Sequence, residues 1–322
     1  MNDPRPFRIG ALEVVPIADG RTAIPEPEAI SGKSDRELAA HRRYIPGDGR
    51  YLTDFGAFVV RAGDQTVLLD AGLGPPPGPS GVWDPVQAPP EAVAAVGDLF
   101  RRFGRSEEYV RQRLTRLGES KVAYGDLERN LHAAGVLPEL VTDVVLTHLH
   151  CDHVGWVARH GVPFFPAARI WCHEADAEYF LGTDAPDERH FLAMYGVEST
   201  KTRMAPVHQQ LELWRTDRVV APGVSLWHLP GHTPGSSAVM VESGAQRGIM
   251  VGDVVHCPLE LTDLRFSIAA DFDADLARQS KHKLAALAAQ PGTSVFSTHF
   301  PELAPGRLVN HEADGRPEWK WN

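Results

Sequence analysis

Three histidines and an aspartate stand close together near the middle of the chain, as His148, His150, Asp152 and His153. They directly follow the apolar run Val144–Leu146. Imidazole nitrogens and carboxylate oxygens bind borderline divalent metals such as zinc, and equally iron, cobalt or manganese. If the apolar run is a buried strand, its end lies at the rim of a sheet, where successive side chains can enter one crevice. The sequence therefore predicts a metal site at this strand end.

The spacing within this motif suggests how the ligands are shared. Side chains alternate along extended backbone, so His148 and His150 are expected on one face, where they can chelate the same ion. Asp152 and His153 lie beyond the strand end, where the chain turns, and are free to serve a neighbouring ion.

Three further candidate ligands stand far downstream, each beside a turn or after an apolar run. They are His232 within Gly231–Gly235, Asp253 after Gly248–Val251, and His299 after Ser297–Thr298. An isolated His-x-His pair often lies on a surface or in a core, but this many ligand types in these settings favours metal binding. Together the five histidines and two aspartates are enough for two metal ions.

These motifs resemble those of the metallo-β-lactamase-fold hydrolases. The resemblance runs from about Leu12 to Trp319 and rests on Leu68–Gly74, His148–His153, Gly231–Ser236, Gly252–Asp253 and Thr298–His299. It implies an α/β fold, a four-layer αββα sandwich, with a dinuclear centre between its two sheets. On the family pattern His148, His150 and His232 hold one ion, Asp152, His153 and His299 hold the second, and Asp253 bridges them. Zinc is the first candidate for both ions, with iron, cobalt or manganese as alternatives.

The expected chemistry is hydrolysis by a hydroxide shared between the two ions, because paired cations lower the pKa of water toward neutrality. Asp152 is the candidate general acid and base. No serine or cysteine nucleophile is then required. Cys151 lies inside the motif, but it is expected to be a small buried residue and not a ligand. In the family, the aspartate at the position of Asp70 supports the histidine cluster without ligating.

The details resemble the branch that contains N-acyl-homoserine lactonases and methyl parathion hydrolase, so a lactonase or esterase is expected, with a phosphotriesterase as the alternative. Several lactonases of this type have a tyrosine three residues after the bridging aspartate, where this chain has His256. The imidazole can donate a similar hydrogen bond to substrate or can be structural. A mononuclear iron persulfide dioxygenase and a binding protein without turnover are further alternatives, and retention of every second-site ligand argues against both.

Composition limits the other functions. The 322 residues carry a net charge of −10, which argues against a nucleic-acid partner. No apolar run approaches the roughly 18 residues needed to cross a bilayer, and no targeting signal follows Met1–Arg5, so a cytoplasmic protein without membrane contact is expected. Three cysteines are too few for a disulfide framework. The expected partner is a small-molecule lactone, ester or phosphotriester, and a homodimer is compatible with the family.

One domain over residues 1–322 is expected, with a Pro/Gly-rich excursion at about 74–120 that can wrap over the site. Aromatic residues there and after the metal motif are candidates to line an apolar pocket: Trp83, Phe100, Phe103, Tyr109, Tyr179, Phe180, Phe191 and Tyr195. Periodicity and turn residues predict strands over Ile9–Ile17, Phe55–Arg61, Thr66–Asp70 and Ser294–Ser297, and helices over Glu107–Leu117, Asp126–Ala134 and Asp273–Gln290.

Overall fold

Two β-sheets lie at the centre of the protein in the computed structural model, which describes residues 5–25, 50–267, 271–310 and 315–322. The first nine strands are β1 (Phe7–Ile9), β2 (Leu12–Pro25), β3 (Arg50–Ala62), β4 (Gln65–Leu69), β5 (Val82–Trp83), β6 (Val122–Tyr124), β7 (Asp143–Val145), β8 (Ala158–Arg159) and β9 (Val162–Pro163). The others are β10 (Arg169–His173), β11 (Leu211–Trp214), β12 (Arg218–Ala221), β13 (Val224–His228), β14 (Ser237–Ser243), β15 (Gln246–Met250), β16 (Thr293–Phe296), β17 (Gly306–Asn310) and β18 (Pro317–Trp321).

The order of the strands brings the ends of several of them to one rim. Within the described residues, the first sheet runs β11-β10-β7-β4-β3-β2-β6-β5, with β1 paired to β2. Its strands β4, β7, β10 and β11 are parallel. The second sheet runs β12 to β18 in sequence order, and β15 and β16 are parallel. Because β13 points the same way as β15, three strands of this sheet end at the same rim.

Helices cover the outer face of each sheet. In chain order they are α1 (Pro90–Arg102), α2 (Glu107–Thr115), α3 (Leu127–Ala133), α4 (Glu174–Leu181), α5 (Arg189–Tyr195), α6 (Thr200–Met204), α7 (Leu259–Thr262) and α8 (Ala274–Ala288). Short 3₁₀ turns are found at Pro85–Gln87, Leu117–Glu119, Pro138–Leu140, Ala205–Gln210, Gly252–Val254 and Pro301–Leu303.

Three large apolar clusters separate the layers. One joins the two sheets and includes Phe58 and Trp171 from the first and Met250 and Phe296 from the second. A second lies between the first sheet and its helices, and a third lies between the second sheet and its helices. Each sheet therefore has two buried faces, as in the predicted four-layer αββα arrangement, which is confirmed.

Most predicted elements are confirmed, including the hairpin of β3 and β4 and the helix that begins after Asp273. The single strand predicted over Ile9–Ile17 is wrong, because the chain reverses at Gly10 and pairs Ile9 with Leu12. Gly10 has φ +58°, and a Cβ there would overlap Ser243. A turn as tight as this one hardly interrupts the apolar pattern of the sequence, so the pattern alone did not reveal the turn.

The Pro/Gly-rich excursion contains β5, which is the edge strand of the first sheet, and the helices α1 and α2, after which the chain returns to that sheet at β6. Helix α1 packs through Ala92 and Val96 against Ala193 of α5. A single domain over the whole chain stays a prediction. Among the described residues, no helix has the length and apolar character needed to span a membrane. Met1 to Pro4, part of the segment searched for a targeting signal, lie outside the described residues.

Candidate metal centre

The structure brings the seven predicted ligands together at the shared rim of the two sheets. His148, His150, Asp152 and His153 lie in the loop that follows β7. The other three follow strands of the second sheet: His232 after β13, Asp253 after β15 and His299 after β16. The first sheet thus supplies one loop of candidate ligands and the second supplies three separate positions.

The loop after β7 is irregular and is not a continuation of the strand, since β7 ends at Val145. The two histidines still converge, with Nε2 of His148 3.0 Å from Nδ1 of His150. Nε2 of His232 lies 3.0 Å from the same Nδ1. These three residues and Asp253 each offer a ligand atom within 4.8 Å of the others.

Asp253 lies between this group and the rest of the cluster. Its Oδ2 lies 3.4 Å from Nε2 of His232 and 3.7 Å from Nε2 of His148. Its Oδ1 lies 3.2 Å from Nε2 of His153 and 3.0 Å from Nε2 of His299. One carboxylate therefore contacts both subsets of histidines, which is the arrangement a bridging ligand requires.

A second group consists of Asp152, His153 and His299, whose ligand atoms also lie within 4.8 Å of one another. Oδ2 of Asp152 is 3.6 Å from Nε2 of His299 and 3.8 Å from Nε2 of His153. The Asp152 side chain is 12% exposed, whereas that of His153 is fully buried. Asp152 is therefore the member of this group that solvent or a small molecule can reach.

Four of the five histidines each donate a hydrogen bond through Nδ1–H to an oxygen outside the cluster, which leaves Nε2 facing the cluster. The Nδ1–H of His153 donates to Asp70 Oδ2 at 2.8 Å, and that of His299 donates to Asp54 O at 2.9 Å. The Nδ1–H of His232 donates to Asp271 Oδ1 at 3.2 Å, and that of His148 donates to Thr147 Oγ1 at 3.3 Å. Such partners fix the tautomer that leaves a lone pair for a metal. Asp70 thus contacts His153 and also accepts from the backbone and hydroxyl of Thr147.

Among the described residues, two buried polar atoms of the cluster make no hydrogen bond, namely Nε2 of His153 and Oδ1 of Asp253, although they lie only 3.2 Å apart. Buried polar atoms are rarely left in this condition unless an ion or water satisfies them. Both atoms face the other candidate ligands, and the donor set of imidazoles and carboxylates suits zinc and its neighbours. The residues therefore fit a divalent metal centre.

The two sides of the cluster differ in charge. Burial, aided by neighbouring histidines, lowers the pKa of His148 and His150 well below the ordinary value, so both imidazoles are neutral at neutral pH. Burial opposes ionisation of Asp253, but His299 and His256 hold its pKa well below the ordinary value. Burial also opposes protonation of His153, yet Asp253 and Asp70 raise its pKa well above the ordinary value. The carboxylates thus attract positive charge to this side of the cluster.

The two loops of the first group are joined by Asp176 in the first turn of α4. Its carboxylate accepts from the backbone N–H of Leu149 at 3.1 Å, from that of Gly235 at 2.6 Å and from Thr233 Oγ1 at 2.9 Å. Burial raises the pKa of Asp176 to about 6, although these donors oppose the shift. The loop of His232 also needs Gly231, which has φ +137° and would bring a Cβ into the backbone of Ala277.

His256 lies beside Asp253 with its Nε2 2.9 Å from Oδ2. Its ring stacks on that of His299, with the two ring centroids 5.5 Å apart. Its backbone N–H donates to Glu260 Oε2 at 2.7 Å, and Glu260 is paired with Lys281 at 2.7 Å in the interior. His256 is thus engaged with the cluster, while its predicted contact with substrate stays a prediction.

Cys151 is buried in an apolar cluster with Phe55 and Leu73. Burial raises the pKa of the Cys151 thiol well above its ordinary value. No cysteine belongs to a possible metal-binding group among the described residues. The expected burial of Cys151 is thus confirmed, and its exclusion from the ligands stays a prediction.

A pocket of about 220 Å³ opens beside His150 and His232. Four of the predicted aromatic residues line it: Phe103, Tyr179, Phe180 and Phe191. Trp83 and Tyr195 instead pack in an internal cluster around Phe55, and Phe100 packs edge to face on Tyr109. Phe103 belongs to the excursion, so this segment forms one wall of the pocket as expected. Polar groups at the pocket include Arg102, Asp187, Glu188 and His190.

Three residues of the site escaped the sequence analysis. Asp176 and Asp271 lie near helix starts, where an aspartate is common for reasons of helix capping and charge. Phe272, which also lines the pocket, stands alone among acidic residues without a periodic pattern. Three aspartates stand close together before and within the start of α8, as Asp271, Asp273 and Asp275. One helix needs only one capping aspartate, so this spacing signals a different role for another of them, but it does not identify the partner of Asp271.

The chain is similar in sequence to proteins of a known family. A sequence profile described as the metallo-beta-lactamase superfamily matches residues 104–299. An N-acyl homoserine lactonase of Bacillus sp. is 26% identical over 179 residues, which are 56% of this chain and 64% of that protein. N-acyl homoserine lactonase AiiB of Agrobacterium fabrum is 28% identical over 209 residues, which are 62% of each chain. The chain thus spans 64% and 62% of the length of these two curated relatives.

Two solved structures are similar over nearly their full length. The crystal structure of AbOPH, a hydrolase in the beta lactamase superfamily, is 22% identical, with a TM-score of 0.71, and the match covers 100% of this chain and 97% of that one. AidC, a dizinc quorum-quenching lactonase solved with a product, is 18% identical, with a TM-score of 0.69, and the match covers 100% of this chain and 98% of that one. These likenesses show the fold.

Proposed function

The chain belongs to the metallo-beta-lactamase superfamily, and from that premise we propose that it is a metal-dependent hydrolase that opens lactones or cleaves carboxylic esters. The observation that carries the proposal is the cluster of seven candidate ligands, in which Nε2 of His153 and Oδ1 of Asp253 are buried without a hydrogen bond to the described residues. The curated relatives named N-acyl homoserine lactonase support a lactone as the first substrate to test.

We assign the ligands to two ions, with zinc as the first candidate. One ion would be held by His148, His150 and His232, the second by Asp152, His153 and His299, and Asp253 would bridge them. Bound there, two divalent ions would acidify water and polarise the carbonyl oxygen of a substrate. The close approach of the second group favours this assignment over a redox centre with a single iron.

Two residues of the chain would support the reaction directly. Asp152 is the candidate for proton transfer, because its carboxylate is partly exposed and lies next to His299. His256 would fix the orientation of Asp253 through its Nε2. Both assignments give these side chains roles in holding or moving charge, and neither requires a protein nucleophile.

The pocket beside His150 and His232 suits the apolar part of such a substrate. Its aromatic walls include Phe103, Phe180 and Phe191. Apolar walls around a few polar groups are typical of small-molecule sites. An acyl or aryl substituent would lie against these rings, and its carbonyl group would then face the metal cluster.

The test is hydrolysis of a substrate panel by chelated and by metal-restored protein, with metal content measured alongside. The panel contains acyl-homoserine lactones, aryl esters, a glutathione thioester, a β-lactam and a phosphotriester. We expect turnover to disappear on chelation and to return with about two metals per chain, most strongly on lactones. Full metal loading without turnover of any lactone or ester would contradict the proposal, and a dominant activity on the phosphotriester would change the substrate class.

Substitution Phe272→Ala is expected to weaken binding of acyl-bearing lactones. Phe272 lines the pocket, is 55% exposed in the free protein and packs edge to face on Tyr179. A bound acyl chain would cover the ring, and full burial of an aromatic side chain is worth about 1.5 to 3 kcal/mol, so KM should rise about 10-fold with a smaller change in kcat. A lactone without an acyl chain is the control, and an equal KM increase for it would refute the assignment.

A further inference from the structure

We propose that Asp271 is a positioning residue of the metal centre, which acts by holding His232. Oδ1 of Asp271 lies 3.2 Å from Nδ1 of His232, and the side chain of Asp271 is 10% exposed. Its other oxygen accepts from Ser267 Oγ at 3.3 Å. The carboxylate is therefore oriented from both sides and directed at the back of a candidate ligand.

The contact decides which nitrogen of His232 carries the proton. A neutral imidazole has one N–H group, and a carboxylate at Nδ1 keeps that group there because carboxylate oxygens only accept. Nε2 is then left with its lone pair facing the cluster, 3.0 Å from Nδ1 of His150 and 3.4 Å from Oδ2 of Asp253. A carboxylate behind an imidazole also raises its basicity toward a metal.

The backbone next to Asp271 is aligned with the loop of His232 by two more hydrogen bonds. The N–H of Phe272 donates to the carbonyl of His232 at 3.1 Å, and the N–H of Asp273 donates to the carbonyl of Gly231 at 2.9 Å. Asp273 then caps α8 by accepting from Asp275 and Leu276. The two backbone contacts, and not the cap, thus fix where the carboxylate of Asp271 lies.

The arrangement repeats one on the other side of the cluster, where Asp70 holds His153 at 2.8 Å. Each proposed ion would therefore have one histidine supported by a carboxylate. The two carboxylates come from different parts of the fold, since Asp70 follows β4 and Asp271 precedes α8. The inference about Asp271 rests on the proposed metal centre.

The experiment is a titration of chelated full-length protein with Co²⁺, followed by visible absorption, which reports both stoichiometry and ligand geometry. Wild type is compared with Asp271→Ala and with Asp271→Asn, which keeps the size of the side chain and one acceptor oxygen. We expect Asp271→Ala to weaken one of two Co²⁺ sites by about 10- to 100-fold and to alter its spectrum, with Asp271→Asn intermediate. Should Asp271→Ala fail to fold, the Asn variant gives the answer.

Two variants control for effects that do not involve His232. Asp273→Ala removes the cap of α8 but keeps the backbone contact to Gly231, and Asp275→Ala removes a nearby exposed charge. Both should leave Co²⁺ affinity and spectrum unchanged, although Asp273→Ala should lower Tm. A wild type that binds no Co²⁺ would overturn the metal centre and this inference together. Wild-type binding with unchanged affinity and spectrum in both Asp271 variants would overturn this inference alone.

Discussion

Asp253→Ala is expected to yield a folded protein that binds little metal and has no measurable hydrolysis. The two oxygens of Asp253 are the only carboxylate atoms that contact both groups of histidines among the described residues, with Oδ1 3.0 Å from His299 and Oδ2 3.4 Å from His232. Without this carboxylate, each proposed ion loses a ligand and the site loses negative charge. Removal of a residue that only orients a ligand lowers metal affinity or activity by about 10- to 100-fold. The fall in metal affinity and activity of Asp253→Ala should be larger than that.

The measurements are metal content per chain, hydrolysis of the preferred substrate and circular dichroism of the same preparation. Asp98→Ala is the control, because Asp98 is an exposed aspartate on α1 that pairs only with nearby Arg101 among the described residues. It should retain wild-type metal content and activity. Full activity in Asp253→Ala would overturn the assignment of Asp253 as the bridging ligand.

Asp176→Ala is expected to destabilise the protein by about 2 to 6 kcal/mol, even when no metal is bound. The substitution leaves two buried backbone N–H groups, of Leu149 and Gly235, without their acceptor, whereas the hydroxyl of Thr233 can still bond to Ser236 Oγ at 2.9 Å. Each buried polar group left unsatisfied costs about 1 to 3 kcal/mol. The loss should appear as a lower denaturant midpoint in chelated protein, so that lost metal affinity does not contribute.

Glu178→Ala is the matched control, since Glu178 is an exposed acid on the same helix. It should leave the midpoint unchanged. Asp176→Asn should lose part of the stability, because an amide offers one acceptor oxygen where three donors converge. An unchanged midpoint in Asp176→Ala would mean that water replaces the carboxylate and that the two loops are held by other contacts.

The candidate ligands could be predicted from the sequence because their chemistry is concentrated in short motifs. His148 and His153 stand within six residues of each other, and His232 stands in a glycine-rich turn. The fold could be predicted with them, because the same motifs occur at strand ends in a known family. Their role as ligands stays a prediction.

Of the residues that hold the candidate ligands, Asp70 was expected from the family resemblance, but two others could not be predicted in this way. Asp176 and Asp271 act through contacts with loops far away in the sequence, and nothing in their own neighbourhood distinguishes them from ordinary helix-capping acids. The residues that line the pocket could not be predicted from the sequence either. Phe103 and Tyr195 are similar in sequence context, yet only Phe103 faces the pocket, because the packing of α1 and α5 decides which side each ring takes.

The placement of the candidate ligands on both sheets would couple metal binding to the packing of one sheet against the other. The histidines after β7 and those after β13 and β16 meet only when the two sheets pack against each other, so the centre exists only in the closed fold. Ions that bind only this closed form would stabilise it. Their contribution to the free energy of unfolding would grow with the logarithm of their free concentration. A chain starved of metal should therefore open along the seam between its sheets more often than a loaded one, and proteases should cleave it sooner.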